Sequence, residues 1–330
     1  MTSAPRVSVV TPFYNTAPYL AECIDSVLAQ SHGDLEYILV DNHSDDGGGE
    51  IAAGYAARDH RLRVVRPPAF LDQVPNYNFA LRQIARDTRY CKIVQADDTI
   101  FPRCLSEMVA LAEAHPSIGV VSAYRMFGTE LQPNGLAHTR TFLTGRDACR
   151  VVLKDGIYLF GSPTTVMFRA DLVRRRDPFY AEGRLFEDAE VCFDLLAEPG
   201  IDLGFVHQVL SFTRTDNDSL WRGMRAYEGW LLARRNQVAQ YGRQFLAPDE
   251  FDQVWRHRDR QYRSLLAEAW LTRRDDGFWS FHAKGLATVG DTLDRKQLIR
   301  DAARVALGLA LSPRRLGALL RQRTRQPEPR

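Results

Sequence analysis

No apolar run in these 330 residues approaches the ~20 positions that span a bilayer, and the longest late stretch is residues 305–311. No secretory leader is expected either. Residues 1–5 are short and polar, and the apolar segment after them has the length of a strand. The five cysteines, Cys23, Cys91, Cys104, Cys149 and Cys192, are odd in number, widely spaced and without a CxxC pair, so reduced structural thiols in a cytosolic protein are expected. Excess charge of one sign is absent as well. A formal net charge of +2 gives no case for a nucleic-acid partner. After Ser312, however, come Arg314, Arg315, Arg321, Arg323, Arg325 and Arg330, opposed only by Glu328.

What remains is ordinary globular material, 45% hydrophobic and 25% charged, enough for one large or two modest domains. The first third alternates strand-like and helix-like segments, which predicts βαβ units and a parallel sheet. Strands are expected over residues 7–11, 35–40, 62–65, 91–95 and 118–122, and helices over 19–30, 50–58, 78–86 and from Pro102 to about residue 114. In the middle region the pattern predicts helices over 146–153 and 188–196, a strand over 164–168 and a strand-like pair around Phe205 and Leu210. From Ser219 onward the periodicity is almost wholly helical. There is no internal repeat, and only residues 322–330 read as disordered.

Four segments carry chemistry. VSVVTPFYN, residues 7–15, ends a buried strand in Pro12 and Tyr14, with Asn15 and Thr16 placed to cap the next helix; a ring there can stack on a flat base or simply cover the core edge. In LVDNHSDDGGG, residues 39–49, a second strand delivers Asp41 and Asn42, which can read a base edge or a ribose hydroxyl. Gly47, Gly49 and Ala52 also fit GxGxxA, but the match begins well past the strand and its acids would repel a pyrophosphate. QADD, residues 95–98, ends the fourth strand in two acids suited to Mg²⁺ or Mn²⁺ beside a diphosphate. FEDAEVCFDLL, residues 186–196, opens a helix with Glu187, Asp188 and Glu190, whose crowding would raise the Asp188 pKa; plain dipole stabilisation of the helix start is the simpler alternative.

With these four segments in this order, the chain resembles the family-two glycosyltransferases, inverting sugar transferases of the GT-A fold, over roughly residues 6–214. The resemblance implies an α/β GT-A domain with a Rossmann-like, mostly parallel central sheet over residues 1–215, divided at about residue 125 into a nucleotide-sugar half and an acceptor half. A helical C-terminal region, 216–330, would follow. It implies that Pro12 and Tyr14 line the nucleobase pocket and that Asp41 and Asn42 contact the base, Asn42 departing from a frequent second acid. Asn78 and Arg214 would serve the sugar-nucleotide and its diphosphate, Asp97 would touch ribose or sugar hydroxyls, and Asp98 would ligate the divalent ion. Ala96, Asp97 and Asp98 occupy the motif's position, and its first acid is absent here. Asp188 aligns with the catalytic base, which takes the acceptor hydroxyl's proton in an inverting transfer.

The expected donor is a UDP-sugar, with dTDP- and GDP-sugars as alternatives; the expected acceptor is a glycan, lipid-linked or polysaccharide hydroxyl. His207 and Asp216 are left outside the metal set. Arg314 and Arg315 beside Leu316, Leu319 and Leu320 suit peripheral contact with the inner membrane face or, equally, a solvated basic helix end. Two rivals stand beside this reading. One is a catalytically silent nucleotide-sugar-binding subunit; the other, a sugar-phosphate nucleotidyltransferase, needs a glycine-rich, basic loop after the first strand, which TPFYNTAPY does not offer.

Overall fold

Strands buried on both faces are built from unbroken apolar runs, and the first two meet that description: β1 (Val7–Phe13) and β2 (Leu35–Asp41) have every residue buried. The structure, a computed structural model, describes residues 6–133, 135–184, 186–215, 224 and 226–310. The basic segment from Arg314 to Arg330, Asp216 and Ser219 lie outside the described residues. Two compact units are present, Met1–Ser219 and Leu220–Arg330.

In the first unit a ten-stranded sheet runs β3-β2-β1-β4-β9-β6-β10-β5, with β7 (Glu130–Gln132) on β6 and β8 (Phe142–Leu143) on β10. The strands β3 (Leu62–Val65), β2, β1 and β4 (Tyr90–Ile93) pair in parallel, as do β6 (Ile118–Phe127) and β10 (Asp202–Thr213). Between β4 and β6 lies β9 (Met167–Arg169), antiparallel to both, so every long strand still points one way. Their carboxyl ends therefore share one sheet edge, where chemistry collects in such folds. The short β5 (Thr99–Ile100) closes against β10.

Helices α1 (Ala17–Leu28), α2 (Gly48–Ala56), α3 (Gln73–Leu81) and α4 (Cys104–Ala114) alternate with the first strands. The α1 cap differs from expectation. Thr16 makes no capping hydrogen bond, and the N–H of Ala17 donates instead to Asp46 Oδ2 at 2.7 Å, from the acidic turn after β2. Helix α3 begins five residues before the predicted residue 78, because Pro75 falls in the first turn, where no amide hydrogen is needed, rather than breaking the helix. In the middle region α5 (Gly145–Arg150) runs on into a π turn (Val151–Asp155), α6 (Ala170–Arg174) follows β9, and α7 (Glu187–Leu196) carries the later acids. The strand expected over 164–168 shortens to β9, and the pair expected near Phe205 and Leu210 is one continuous irregular strand, β10.

The second unit consists, among its described residues, of α8 (Gly229–Phe245), α9 (Pro248–Leu271), α10 (Asp276–Ala287) and α11 (Arg295–Ala310). Asp275 caps α10 by accepting from the Phe278 N–H at 2.8 Å. Inside this unit Arg235 is buried between the rings of Trp255 and Tyr262, 4.8 and 5.5 Å from their centroids, and pairs with Asp259 at 2.9 Å and with Asp291. No described helix is long and apolar enough to cross a membrane. All five cysteines are buried and free.

Candidate active site

Three residues separate the end of β4 at Ile93 from Asp97 and Asp98, and the two acids face different surroundings. Asp98 is 1% exposed; its Oδ1 accepts from the Arg214 N–H at 3.1 Å and its Oδ2 from the Thr213 hydroxyl at 3.4 Å, which ties β4 to the end of β10. Burial and then the charge of Asp97 push its pKa up to about 7, against opposing help from Thr164, the Arg214 N–H and Arg125. Asp97 is only half buried. Of the pair expected to serve ion and sugar, Asp97 is thus the more open and Asp98 the more deeply set.

Arg214, expected at the diphosphate, is put to other work here. Its guanidinium lies 4.8 Å from the Tyr19 ring, pairs with Glu22 at 2.8 Å and donates from Nε to the Asp97 carbonyl at 3.2 Å. It braces the acidic corner against α1.

The second acidic group opens α7. Asp188 Oδ1 accepts from the Ala189 N–H at 2.8 Å, as a residue in a helix's first turn can. Its pKa is raised to about 6, and burial is the largest cause; the Ala189 N–H and Arg125 oppose it. The crowding expected from the sequence acts more on Glu187, raised by burial and then by the charge of Asp188. Glu190 turns away to pair with Arg184 at 3.0 Å.

Arg125, near the end of β6, links the two groups. It is 7% exposed, donates to Gln132 Oε1 at 3.1 Å and lies 4.9 Å from the Phe127 ring. Burial lowers its pKa, while the charges of Tyr158, Asp98 and Asp188 raise it. The charges of both acids thus act on one buried cation, Arg125. Sequence reasoning missed Arg125, although a lone arginine closing the apolar run of residues 118–124 is an anomaly that asks for a buried partner.

At the other end of the edge, Pro12 is buried in β1 opposite Val40, and the Tyr14 ring is exposed, edge-on to Phe70 at 4.9 Å. Asp41 is paired with Arg66 and accepts from the Ser44 N–H at 2.9 Å; these bonds outweigh burial and hold its carboxyl below the usual range. An open ring beside an ionised acid suits a base and ribose. Asn42 serves the fold instead: its amide donates to the Leu71 carbonyl at 2.7 Å and accepts from the Leu71 N–H at 3.0 Å, closing the loop that carries Phe70. Asn78 does the same for a second loop, donating to the Tyr180 carbonyl at 2.9 Å and accepting from the Tyr180 N–H at 2.8 Å. Both amides are satisfied by backbone, which a motif does not reveal.

Comparison with known proteins gives the family and the fold. The family model described as Glycosyl transferase family 2 matches residues 8–176. The chain is 30% identical over 233 residues to "Putative glycosyltransferase EpsE" of Bacillus subtilis (strain 168), covering 69% of this chain and 79% of that protein. Among solved structures, S. aureus TarS 1-349 in complex with UDP-GlcNAc superposes with a TM-score of 0.60 at 17% identity, over 86% of this chain and 80% of that one. The mannosyltransferase PcManGT from Pyrobaculum calidifontis, in complex with GDP-Man and Mn²⁺, superposes with a TM-score of 0.53 at 21% identity, over 98% of this chain and 85% of that one. These neighbours carry the GT-A fold, and the chain belongs to glycosyltransferase family 2: it is a transferase enzyme.

Proposed function

We propose that this enzyme transfers a sugar, with inversion, from a nucleotide-diphosphate donor to a hydroxyl of a glycan, lipid-linked or polysaccharide acceptor. The observation that carries the reading is Arg125, whose buried charge acts on Asp98 and on Asp188 together. An inverting transfer needs the leaving diphosphate on one side of the anomeric carbon and a proton acceptor on the other. The strand-end acids and the helix-start acid provide those two sides. Asp188, raised toward neutrality yet ionised at physiological pH, accepts the proton of the attacking hydroxyl.

The donor's base would lie against Tyr14 with Asp41 beside it, UDP first among the candidates and GDP or dTDP after it. Asp97 and Asp98 would hold Mg²⁺ or Mn²⁺. They fit that task because two adjacent carboxylates supply hard oxygen donors, and the proton that burial and the charge of Asp97 favour on Asp98 would give way to a cation. Two carboxylates would leave the remaining positions of such an ion to phosphate oxygens and water, as suits Mg²⁺ and Mn²⁺. When bound, the ion would offset the charge that develops on the leaving diphosphate.

Asp188→Asn keeps the size of the side chain and removes the base. Turnover should fall by about 10²- to 10⁴-fold while the dissociation constants of UDP- and GDP-sugars stay near wild type. Wild-type-like turnover removes Asp188 from the role. Attachment to the inner membrane face through the basic tail rests on the pattern of Arg314 and Arg315 among leucines. Co-sedimentation with anionic vesicles at low salt, lost at high salt, supports it, and its absence at low salt removes it.

A further inference from the structure

Two buried phenols beside the acids are not used by the reaction just described. Tyr77, on α3 and 6% exposed, has a hydroxyl oxygen that accepts from Gln73 Nε2 at 2.9 Å and from Gln95 Nε2 at 3.1 Å. With its oxygen engaged by two donors, the phenol must send its own hydrogen elsewhere. The charges of Asp97, after β4, and of Glu187, at the start of α7, act on this hydroxyl. Gln95 matters here. An acid in its place would take the phenol's hydrogen; the amide donates instead and leaves that hydrogen free.

Tyr180 is 0% exposed, and its hydroxyl has no hydrogen-bond partner. Its ring lies 6.1 Å from that of Tyr77, and Asp188 and Glu187 act on its hydroxyl as well. Asn78 fixes the backbone of Tyr180 from both sides, so the orphaned hydroxyl is held in place rather than left to wander. Burial raises the pKa of both phenols, so both remain protonated donors. A buried donor without a partner is costly, and the usual reason for keeping one is a ligand that completes it.

We propose that the Tyr77 and Tyr180 hydroxyls bind hydroxyl groups of the donor's sugar ring, with Gln73 and Gln95 as positioning residues that aim the Tyr77 hydrogen. The inference rests on the donor-site reading above. In an inverting transfer the sugar ring occupies the space between the metal-side acids and the base, and acids of both groups, Asp97, Glu187 and Asp188, act on these two neutral donors. Neutral phenols suit sugar hydroxyls, whereas a diphosphate calls for cations.

The test is equilibrium binding, with Mn²⁺ present, of UDP, GDP, dTDP and a panel of their hexose and N-acetylhexosamine derivatives to wild type, Tyr77→Phe and Tyr180→Phe. For the sugar nucleotide that wild type holds best, each variant should raise the dissociation constant roughly tenfold, while the matching nucleoside diphosphate is held as before. Because the Tyr180 hydroxyl is unpartnered in the free chain, Tyr180→Phe should leave its melting temperature unchanged or higher. Gln95→Glu should reproduce the loss seen with Tyr77→Phe. Equal losses for nucleotide and sugar nucleotide, no loss in either variant, or a lower melting temperature in free Tyr180→Phe overturns the proposal. A wild-type chain that binds none of the panel removes the donor-site reading and the inference together.

Discussion

Among single residues, the raised acids make the free enzyme's stability fall as pH rises. Asp98 and Asp188 titrate at about 7 and about 6 in the folded chain, against a carboxyl value of 3.8 otherwise. Below that value both states hold the protons, so nothing is lost. Between it and pH 6 to 7 the unfolded chain ionises first, and the folded state is progressively disfavoured. Asp188→Asn should therefore raise the melting temperature of the free enzyme at pH 8 and leave it nearly unchanged at pH 4; an equal rise at both pH values would refute the assignment. Asp188 and Asp98 were readable because each sits in a short acidic motif. Arg125, Tyr77 and Tyr180 were not. An arginine in a strand and tyrosines in core-like segments carry no local mark, and only the tertiary fold brings them to the acids.

For whole elements, the parallel strands were legible because burial on both faces demands continuous apolar runs, and β1 and β2 come close to the residues expected. Segments set by tertiary contact were less so: α3 depends on where Pro75 falls in its first turn, and β9 exists because β4 and β6 both need a partner. Gly145, the first residue of α5, shows the same dependence. A Cβ there would lie 2.3 Å from the Leu196 carbonyl oxygen and 2.5 Å from that of Ile201, and backbone cannot yield as a side chain can. Gly145→Ala should destabilise by about 1–3 kcal/mol in denaturant unfolding, and because Leu196 ends α7 it should also lower turnover through that helix. Unchanged stability would show that α5 has room to shift.

At the level of the whole molecule, the two units hold themselves together by different means. The first depends on an apolar sheet. The second, rich in arginine, uses Arg235 as an internal clamp between two rings and two carboxylates, with Nη1 left unpartnered. Removing the guanidinium would leave the well-covered Asp259 with only Arg263, at 3.5 Å, and would take a cation from Asp291, which is nearly half exposed and so partly screened. Arg235→Met should cost roughly 2–4 kcal/mol, visible as an earlier unfolding transition; an unchanged profile would show that the clamp contributes little. The helical periodicity after Ser219 announced this unit, but nothing in it announced the clamp, since one arginine among many looks solvated until its rings close around it.

The reversed strand β9 has a consequence for how the chain can be divided. Residues 1–125 would end with β4 and β6 already made and no hydrogen-bonding partner between them, because the filler arrives only with residues 167–169. A polypeptide stopped there would present bare strand edges, the kind that stick to other chains. The segments before and after residue 125 are thus joined through β9 as well as through the pairing of β10 with β5 and β6, and neither can be expected to persist as an independent fragment during synthesis or after a cut between them.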